Sequence, residues 1–352
     1  MNELWESLIH GRDEAVLAIG LVLAVGVTVH ILLTKRDVAS AVGWIGLVWF
    51  APILGAATYA MFGVNRVRRL ARRLRPPDDG PGGPKGRLPP RDAGDLASLG
   101  RGIGHITDRP LLAGTVVHAY ENGDDAYPPM LDTIEAATSS VGLSSYIFED
   151  DRWGGRFIDA LTEAKTRGVA VRVLIDGIGG DWLRSPTYHR LRRNGVAADR
   201  FMHSLLPWRM PFINLRTHKK ILVVDGRIGF TGGMNIADDN VMATRPKQPV
   251  QDLHFRIEGP VVAQLAEAFA DDWEFVTDED LTGDAWAPPL DPRDGALARV
   301  IDSGPDEGIE KVEFAVLQAL ACARDSIEVM TPYFLPDERL VTALALAAMR
   351  GV

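Results

Sequence analysis

The chain has 352 residues, with 38 Lys and Arg against 47 Asp and Glu and a formal net charge of −9, enough length for more than one domain with a buried core. The acidic balance argues against non-specific nucleic-acid binding. The single cysteine, Cys322, excludes intrachain disulfides and a cysteine-based zinc site.

Two apolar runs come first. Ala15 to Thr34 carries no formal charge over 20 residues, and Val38 to Phe62 none over 25. At 1.5 Å per helical residue each reaches the ~30 Å of a hydrocarbon core. A secretory signal is the competing reading of the first run, but the residues before it are acidic and the run is too long. Two transmembrane helices are therefore predicted, with Pro52 kinking the second. His30 sits near the end of the first, where a functional role and an interfacial one both stand. Only Lys35, Arg36 and Asp37 separate the runs, so the pair is expected to form a hairpin with both ends on one side of the membrane.

Arg66, Arg68, Arg69, Arg72, Arg73 and Arg75 come directly after the second run. By the positive-inside rule they place everything downstream in the cytoplasm, and they can also attract anionic head groups or act as a topology signal alone. Charge splits at the same point: residues 1–77 hold nine Lys and Arg against five Asp and Glu, the remainder 29 against 42. From Pro76 to Gly100 the chain is too rich in Pro and Gly to pack, and reads as a tether.

Helices and strands then alternate, which predicts an α/β fold. A helix is expected over Pro128–Ser139, a strand over Val141–Phe148, a helix over Gly154–Arg167 and a strand over Val169–Asp176. Further strands are expected over Lys220–Asp225, Gly229–Gly232 and His254–Glu258, and a helix over Pro260–Phe275. Thr282–Gly295, rich in Pro, Gly and Asp, reads as an interdomain linker. The expected boundaries are a membrane segment over 1–63, a juxtamembrane segment and linker over 64–100, a first domain over 101–281, a linker over 282–308 and the start of a second domain over 309–352.

The second domain is read from a repeat. "IEAATSSVGLSSYIF" from Ile134 aligns with "LACARDSIEVMTPYF" from Leu320 at an offset of 186, and "DALTEAKTRGV" from Asp159 aligns with "TALALAAMRGV" from Thr342 at 183.

Chemistry concentrates in "RTHKKILVVDGRIGFTGGMN", Arg216 to Asn235. His218 and Lys220, two apart on a strand, share a face, whereas Asp225, an odd step away, points elsewhere and is expected to fix the strand and turn from behind. A neutral imidazole is a competent nucleophile near pH 7, and a neighbouring lysine offsets phosphodiester charge. Gly232 and Gly233 permit close backbone approach, and Asn235 can donate to phosphate. The bland reading of His218 alone is an exposed histidine in a basic strand; the Gly-Gly-x-Asn downstream is the feature that weighs against it. None of these residues supplies the acid that a leaving oxygen needs.

With these residues in view, the chain resembles the phospholipase D superfamily, whose motif is His-x-Lys-x4-Asp-x6-Gly-[Gly/Ser]-x-Asn, and within it the bacterial cardiolipin synthases. The likeness runs from the apolar hairpin through "YIFEDDRWGGRFIDAL", "NLRTHKKILVVDGRIGFTGGMNIAD" and "FADDWEF" to "MTPYFLPDERL". It implies a mixed sheet flanked by helices behind a two-helix transmembrane hairpin, in a multi-pass protein of the bacterial inner membrane. It also implies phosphatidyl transfer between two phosphatidylglycerols through a phosphatidyl-histidine, without metal or other cofactor.

Carried over, the resemblance makes His218 the nucleophile, gives Lys220, Gly232, Gly233 and Asn235 the phosphate, counts Asp225 within the catalytic motif, and assigns Asp252 the orienting of the histidine. An ordinary strand-end aspartate is the bland reading of Asp252. Family members use two such motifs, and only one stands in these 352 residues. The offset of 183 places a second histidine near position 401, so the reading expects a partial chain, a truncated second repeat and little activity from this piece alone unless a homodimer pairs two His218 sites. Oligomeric state is left open. A hydrolase using water as acceptor and a non-catalytic membrane scaffold remain as alternatives.

Overall fold

The structure is a computed structural model that describes residues 2–35, 38–64, 96–107, 109–177, 179, 184–201, 217–291, 294–302, 311–331 and 333–352. The arginine cluster and most of the Pro/Gly tether lie outside the described residues. The chain divides into two compact units, one built on the N-terminal apolar helices and one on the sheet.

In the first unit, α1 (Asn2–Thr34) includes an apolar stretch, Glu14–Thr34, whose 21 residues are long enough to cross a membrane. The second apolar run does not form the single helix the sequence predicts. It folds as α2 (Val38–Phe50), reverses at Ala51, and returns as α3 (Pro52–Thr58) and a π-helical turn (Tyr59–Gly63). Tyr59 lies beside Trp44, with ring centroids 5.4 Å apart, and its hydroxyl is 2.9 Å from His30 Nδ1. In one continuous helix the 15 residues between Trp44 and Tyr59 would hold them roughly 22 Å apart. The reversal depends on Gly55, where an added Cβ would stand 2.7 Å from the Leu47 carbonyl oxygen and 2.8 Å from Val48 Cα. Pro52 thus starts a new helix, at a position where a missing N–H costs nothing, instead of kinking an old one.

The second unit carries one eight-stranded mixed sheet, flanked by α5 and α6 on one face and α8 on the other. Its elements are α4 (Ala97–Thr107), β1 (Leu112–Glu121), α5 (Asn122–Glu135), β2 (Ser140–Ser145), α6 (Arg152–Thr166), β3 (Ala170–Asp176), α7 (Pro186–Arg193), β4 (Ala197–Phe201), β5 (Ile221–Val224), β6 (Ile228–Gly232), β7 (Leu253–Glu258), α8 (Val261–Thr277), β8 (Ala296–Ala298), α9 (Lys311–Cys322) and α10 (Glu338–Met349). The strand order is β4-β3-β2-β5-β6-β7-β1-β8, with β2, β3 and β4 parallel and the other pairings antiparallel. Period-two alternation sorts β5 between two cores: Leu222 and Val224 pack with Leu143, Ile134 and Phe157, while Ile221 and Val223 pack with Leu265 and Phe269 of α8.

The predicted helices and strands are all present with shifted ends. α4, β1, α7, β4 and β8 were not predicted, and α9 and α10 were anticipated only through the repeat. The stretch read as an interdomain linker is also folded. Trp286 is buried in the core under α8, the Ser140 hydroxyl donates to the Ala285 carbonyl, and β8 pairs with β1. Apolar residues at the ends of that Pro-rich segment anchor it to the sheet.

The repeat is visible in hydrogen bonds. Arg167 Nη2 donates to the carbonyls of Ile134 (3.1 Å) and Ala137 (3.4 Å), and Arg350 Nη2 donates to those of Leu320 (2.9 Å) and Ala323 (3.4 Å). Asp151 caps α6 through the Gly154 N–H and Asp337 caps α10 through the Leu340 N–H, both at 2.8 Å. Gly168 (φ 95°) and Gly351 (φ 91°) end the two helices alike. The segment equivalent to β2, around Ile327–Thr331, forms no ladder among the described residues.

Candidate active site

The topology brings five strand ends to one edge of the sheet. β2 and β3 run parallel, so Tyr146 and Asp176 both lie at their carboxyl ends. β5 runs against β2 and begins there, directly after His218 and Lys220. β6 ends there, delivering Gly232, Gly233 and Asn235, and β7 starts there, delivering Asp252 and His254. The carboxyl edge of an α/β sheet is where loops are free to build a site.

Parity sorts the residues before β5. Thr217 and Lys219 face α8, where the Lys219 ammonium meets Asp272 at 2.9 Å and the Thr217 hydroxyl donates to the same carboxylate at 3.4 Å. Lys219 is therefore structural. His218 and Lys220 face the other way: the imidazole lies 4.7 Å from the Tyr146 ring, centroid to centroid, and Lys220 Nζ lies 5.2 Å from that same ring. Lys220 also donates to the His218 carbonyl oxygen at 2.9 Å, which fixes the two residues to one another. Tyr146 was not singled out from sequence, since nothing in its local pattern shows that β2 and β5 are neighbours.

Burial sets the charges. The Lys220 ammonium is buried and pushed down to about 8, against the pull of the Asp252 and Asp176 carboxylates. His218 is exposed at its edge, but partial desolvation, and after it the Lys220 charge, hold its imidazole below the ordinary histidine value, with Asp176 pulling the other way. His218 is neutral at pH 7 with its nitrogen lone pair available. His254 is pushed down to about 4 by burial and then by Lys220, and its Nδ1 has no hydrogen-bond partner among the described residues. A neutral His254 adds no second positive charge beside Lys220.

The remaining expected residues divide. The Asp252 carboxylate lies against Gly233, whose added Cβ would stand 2.3 Å from it, and it accepts from the Leu253 N–H at 2.7 Å. Its electrostatic pull is on Lys220, whereas the carboxylate that acts on His218 is Asp176, a buried side chain not singled out from sequence. Asn235 Oδ1 accepts from the Ile147 N–H at 3.1 Å, leaving its amide N–H groups as what it can offer an anion. At Gly232 a Cβ would meet the Leu253 carbonyl oxygen at 2.5 Å. Both glycines are thus required by the start of β7, apart from any ligand.

Asp225 does not belong to the site. It sits at the far end of β5, in the tight turn to β6, with φ of 52° followed by 60° at Gly226. Its carboxylate accepts from the backbone N–H groups of Thr138 (3.0 Å), Ser139 (2.7 Å) and Ser140 (2.9 Å) and from the Thr138 hydroxyl (2.9 Å). Burial would raise its pKa, but these bonds together hold it below the usual carboxylate range. Counting it as catalytic is corrected: it anchors the start of β2 to the end of β5. Among the described residues no three His, Cys, Asp or Glu side chains are placed to hold a metal ion.

Residues 130–273 match the family described as "Cardiolipin synthase, PLD-like domain", and residues 22–63 match "Phospholipase_D-nuclease N-terminal". The chain is 33% identical over 346 residues to cardiolipin synthase A of Pseudomonas fluorescens, an alignment covering 92% of this chain and 69% of that protein. It is 28% identical to cardiolipin synthase 1 of Bacillus cereus, over 95% of this chain and 69% of the relative. Among solved structures it is similar to the phosphatidylserine synthase of Haemophilus influenzae, with a TM-score of 0.47 and 14% identity over 72% of this chain and 64% of that one.

Proposed function

The chain belongs to the cardiolipin synthase family of the phospholipase D superfamily and is a phosphatidyltransferase, and we propose that it joins two phosphatidylglycerols into cardiolipin and glycerol through His218. The neutral His218 imidazole attacks the phosphorus of one phosphatidylglycerol. The phosphorus–oxygen bond to the head-group glycerol breaks as the nitrogen–phosphorus bond forms, and the departing alkoxide takes up a proton. The hydroxyl of a second phosphatidylglycerol then attacks the phosphatidyl-histidine, loses its proton, and returns the imidazole. Lys220 and the Asn235 amide hold the non-bridging oxygens, and Asp252 and Asp176 keep Lys220 charged against its burial.

The observation that carries this reading is the His218–Lys220 pair at the carboxyl edge of the sheet, tied by a 2.9 Å hydrogen bond and packed on one aromatic ring. The apolar helix over Glu14–Thr34 fits a substrate that resides in membrane, and the arginines after Val64 favour a cytoplasmic location for the sheet unit. Incubation of the full-length protein with phosphatidylglycerol in detergent is expected to yield cardiolipin and glycerol, and an acid-labile, base-stable phosphatidyl adduct on His218 under single turnover. Phosphatidic acid as the main product would replace transfer by hydrolysis.

A further inference from the structure

We propose that the second apolar segment is a re-entrant helical hairpin, which enters and leaves the bilayer through one face, so that residue 14 and residue 64 lie on opposite sides of the membrane.

Length is the first reason. α2 has 13 residues, about 20 Å of helix, too short for a core of about 30 Å. Its start lies close behind the end of α1, and the chain reverses where Pro52 packs on Gly20, 3.4 Å from a Cβ built there. Gly20 is 14 residues above Thr34, so the apex stands about 21 Å into the span and about 9 Å short of Glu14. From there α3 descends beside α1 until Tyr59 reaches His30.

The hairpin is also dressed for lipid. The residues around its apex that face outward, Trp49, Phe50, Ile53 and Leu54, are all large and apolar. Polar side chains within the unit find partners inside it: the Trp49 indole donates to Thr28 at 3.1 Å, the Thr58 hydroxyl to Leu54 at 2.9 Å, and His30 pairs with Tyr59. At the turn, Pro52 has no N–H, and the Ala51 and Gly55 N–H groups donate to Leu47 and Ala51 at 2.9 and 2.6 Å. These bonds satisfy two of the N–H groups at the reversal, each of which would be costly to leave unpaired in hydrocarbon.

Charge gives an independent argument. Two full spans would put Lys35 and Arg36 on the side opposite the six arginines after Val64. With a re-entrant hairpin all eight basic residues share one face, and the N-terminal segment, which holds Glu3, Glu6, Asp13 and Glu14 against Arg12, takes the other. That is the distribution the positive-inside rule favours.

The test uses the whole chain with Cys322→Ser as background and three single reporters, Ser7→Cys, Lys35→Cys and Asn65→Cys, each treated with a membrane-impermeant maleimide in right-side-out and in inverted vesicles. Positions 35 and 65 are expected to label in one vesicle orientation and position 7 in the other. Labelling of 7 and 65 together, with 35 opposite, means two full spans and overturns the proposal. Extraction of the chain by alkaline carbonate overturns the membrane reading itself, a separate outcome. Gly55→Leu, which drives a side chain into the Leu47–Val48 backbone, is expected to change the labelling of position 65 while leaving positions 7 and 35 as they were; unchanged labelling at 65 counts against the packing described.

Discussion

The sheet unit contains the same sequence pattern twice, and the two copies fold alike only in part. α6 and α10 are capped by aspartates at the same distance, closed by glycines at nearly the same φ, and tied by arginines to the same pair of carbonyls. Between helix and helix, however, β2 is buried between two neighbouring strands, while Val329, Met330, Tyr333 and Leu335 are exposed. Caps and helix ends are decided within a few residues, so both copies have them. A strand is completed by partners distant in sequence, and the catalytic edge is made of strand ends. The first copy's strand edge carries the His218–Lys220 pair, and the described residues of the second copy share its helix caps and ends.

The sharpest way to break this contrast is at His218. With His218 as the nucleophile, His218→Ala lowers phosphatidyl transfer by the full-length protein by about 10⁴-fold or more while thermal unfolding stays unchanged. Retained activity in that variant would move the nucleophile elsewhere. Amide exchange measures the contrast directly. Leu143 to Ser145 are expected to exchange at least about 10³-fold more slowly than Val329 to Thr331, which lack a ladder. Equal protection would mean that the second segment is paired after all.

Legibility in the sequence obeys the same division. The alternation of elements, the two cores on either side of β5, and the parity that separates His218 and Lys220 from Lys219 all depend on local periods. The helix over Arg152–Thr166 was expected within two residues for that reason. Tyr146, Asp176 and His254 escaped notice because their relevance comes from strand order alone. The second apolar run misled because composition measures how much hydrocarbon a segment tolerates, not whether its chain reverses; Pro52 and Gly55 are the available signals, and a proline alone does not tell a kink from a reversal. Asp225 was half legible. The odd spacing turned it from His218, but nothing local showed that three N–H groups at 138–140 would meet it.

That anchor, which ties the start of β2 to the end of β5, is the next test. Asp225→Asn removes one acceptor oxygen and aims an N–H pair at existing donors, which should cost about 3 kcal/mol and lower the Tm by roughly 6–12 °C. The carboxylate's pKa is depressed on folding, so its contribution is full above the ordinary carboxylate range and fades as pH falls through the depressed value. Wild type and variant should thus converge in stability in acid. A variant as stable as wild type at pH 7 would mean that the four hydrogen bonds add nothing net.

The smallest expected effect concerns Tyr146, whose position in the second copy, at an offset of 186, is held by Pro332. The platform that touches both His218 and Lys220 is thus particular to the first copy. Transfer requires neutral His218 and protonated Lys220, so activity should fall as pH drops through the His218 pKa, below the ordinary 6.5, and fall again as pH rises through about 8. Tyr146→Leu removes the aromatic face that supports the ammonium, and should move the alkaline limb down by roughly half a unit to one unit. Tyr146→Phe keeps the face and loses only the hydroxyl, so its alkaline limb should stay where the wild type's is. A merely structural role for Tyr146 would lower activity at every pH without moving that limb. A phenylalanine variant as shifted as the leucine one would transfer the role from the ring to the hydroxyl.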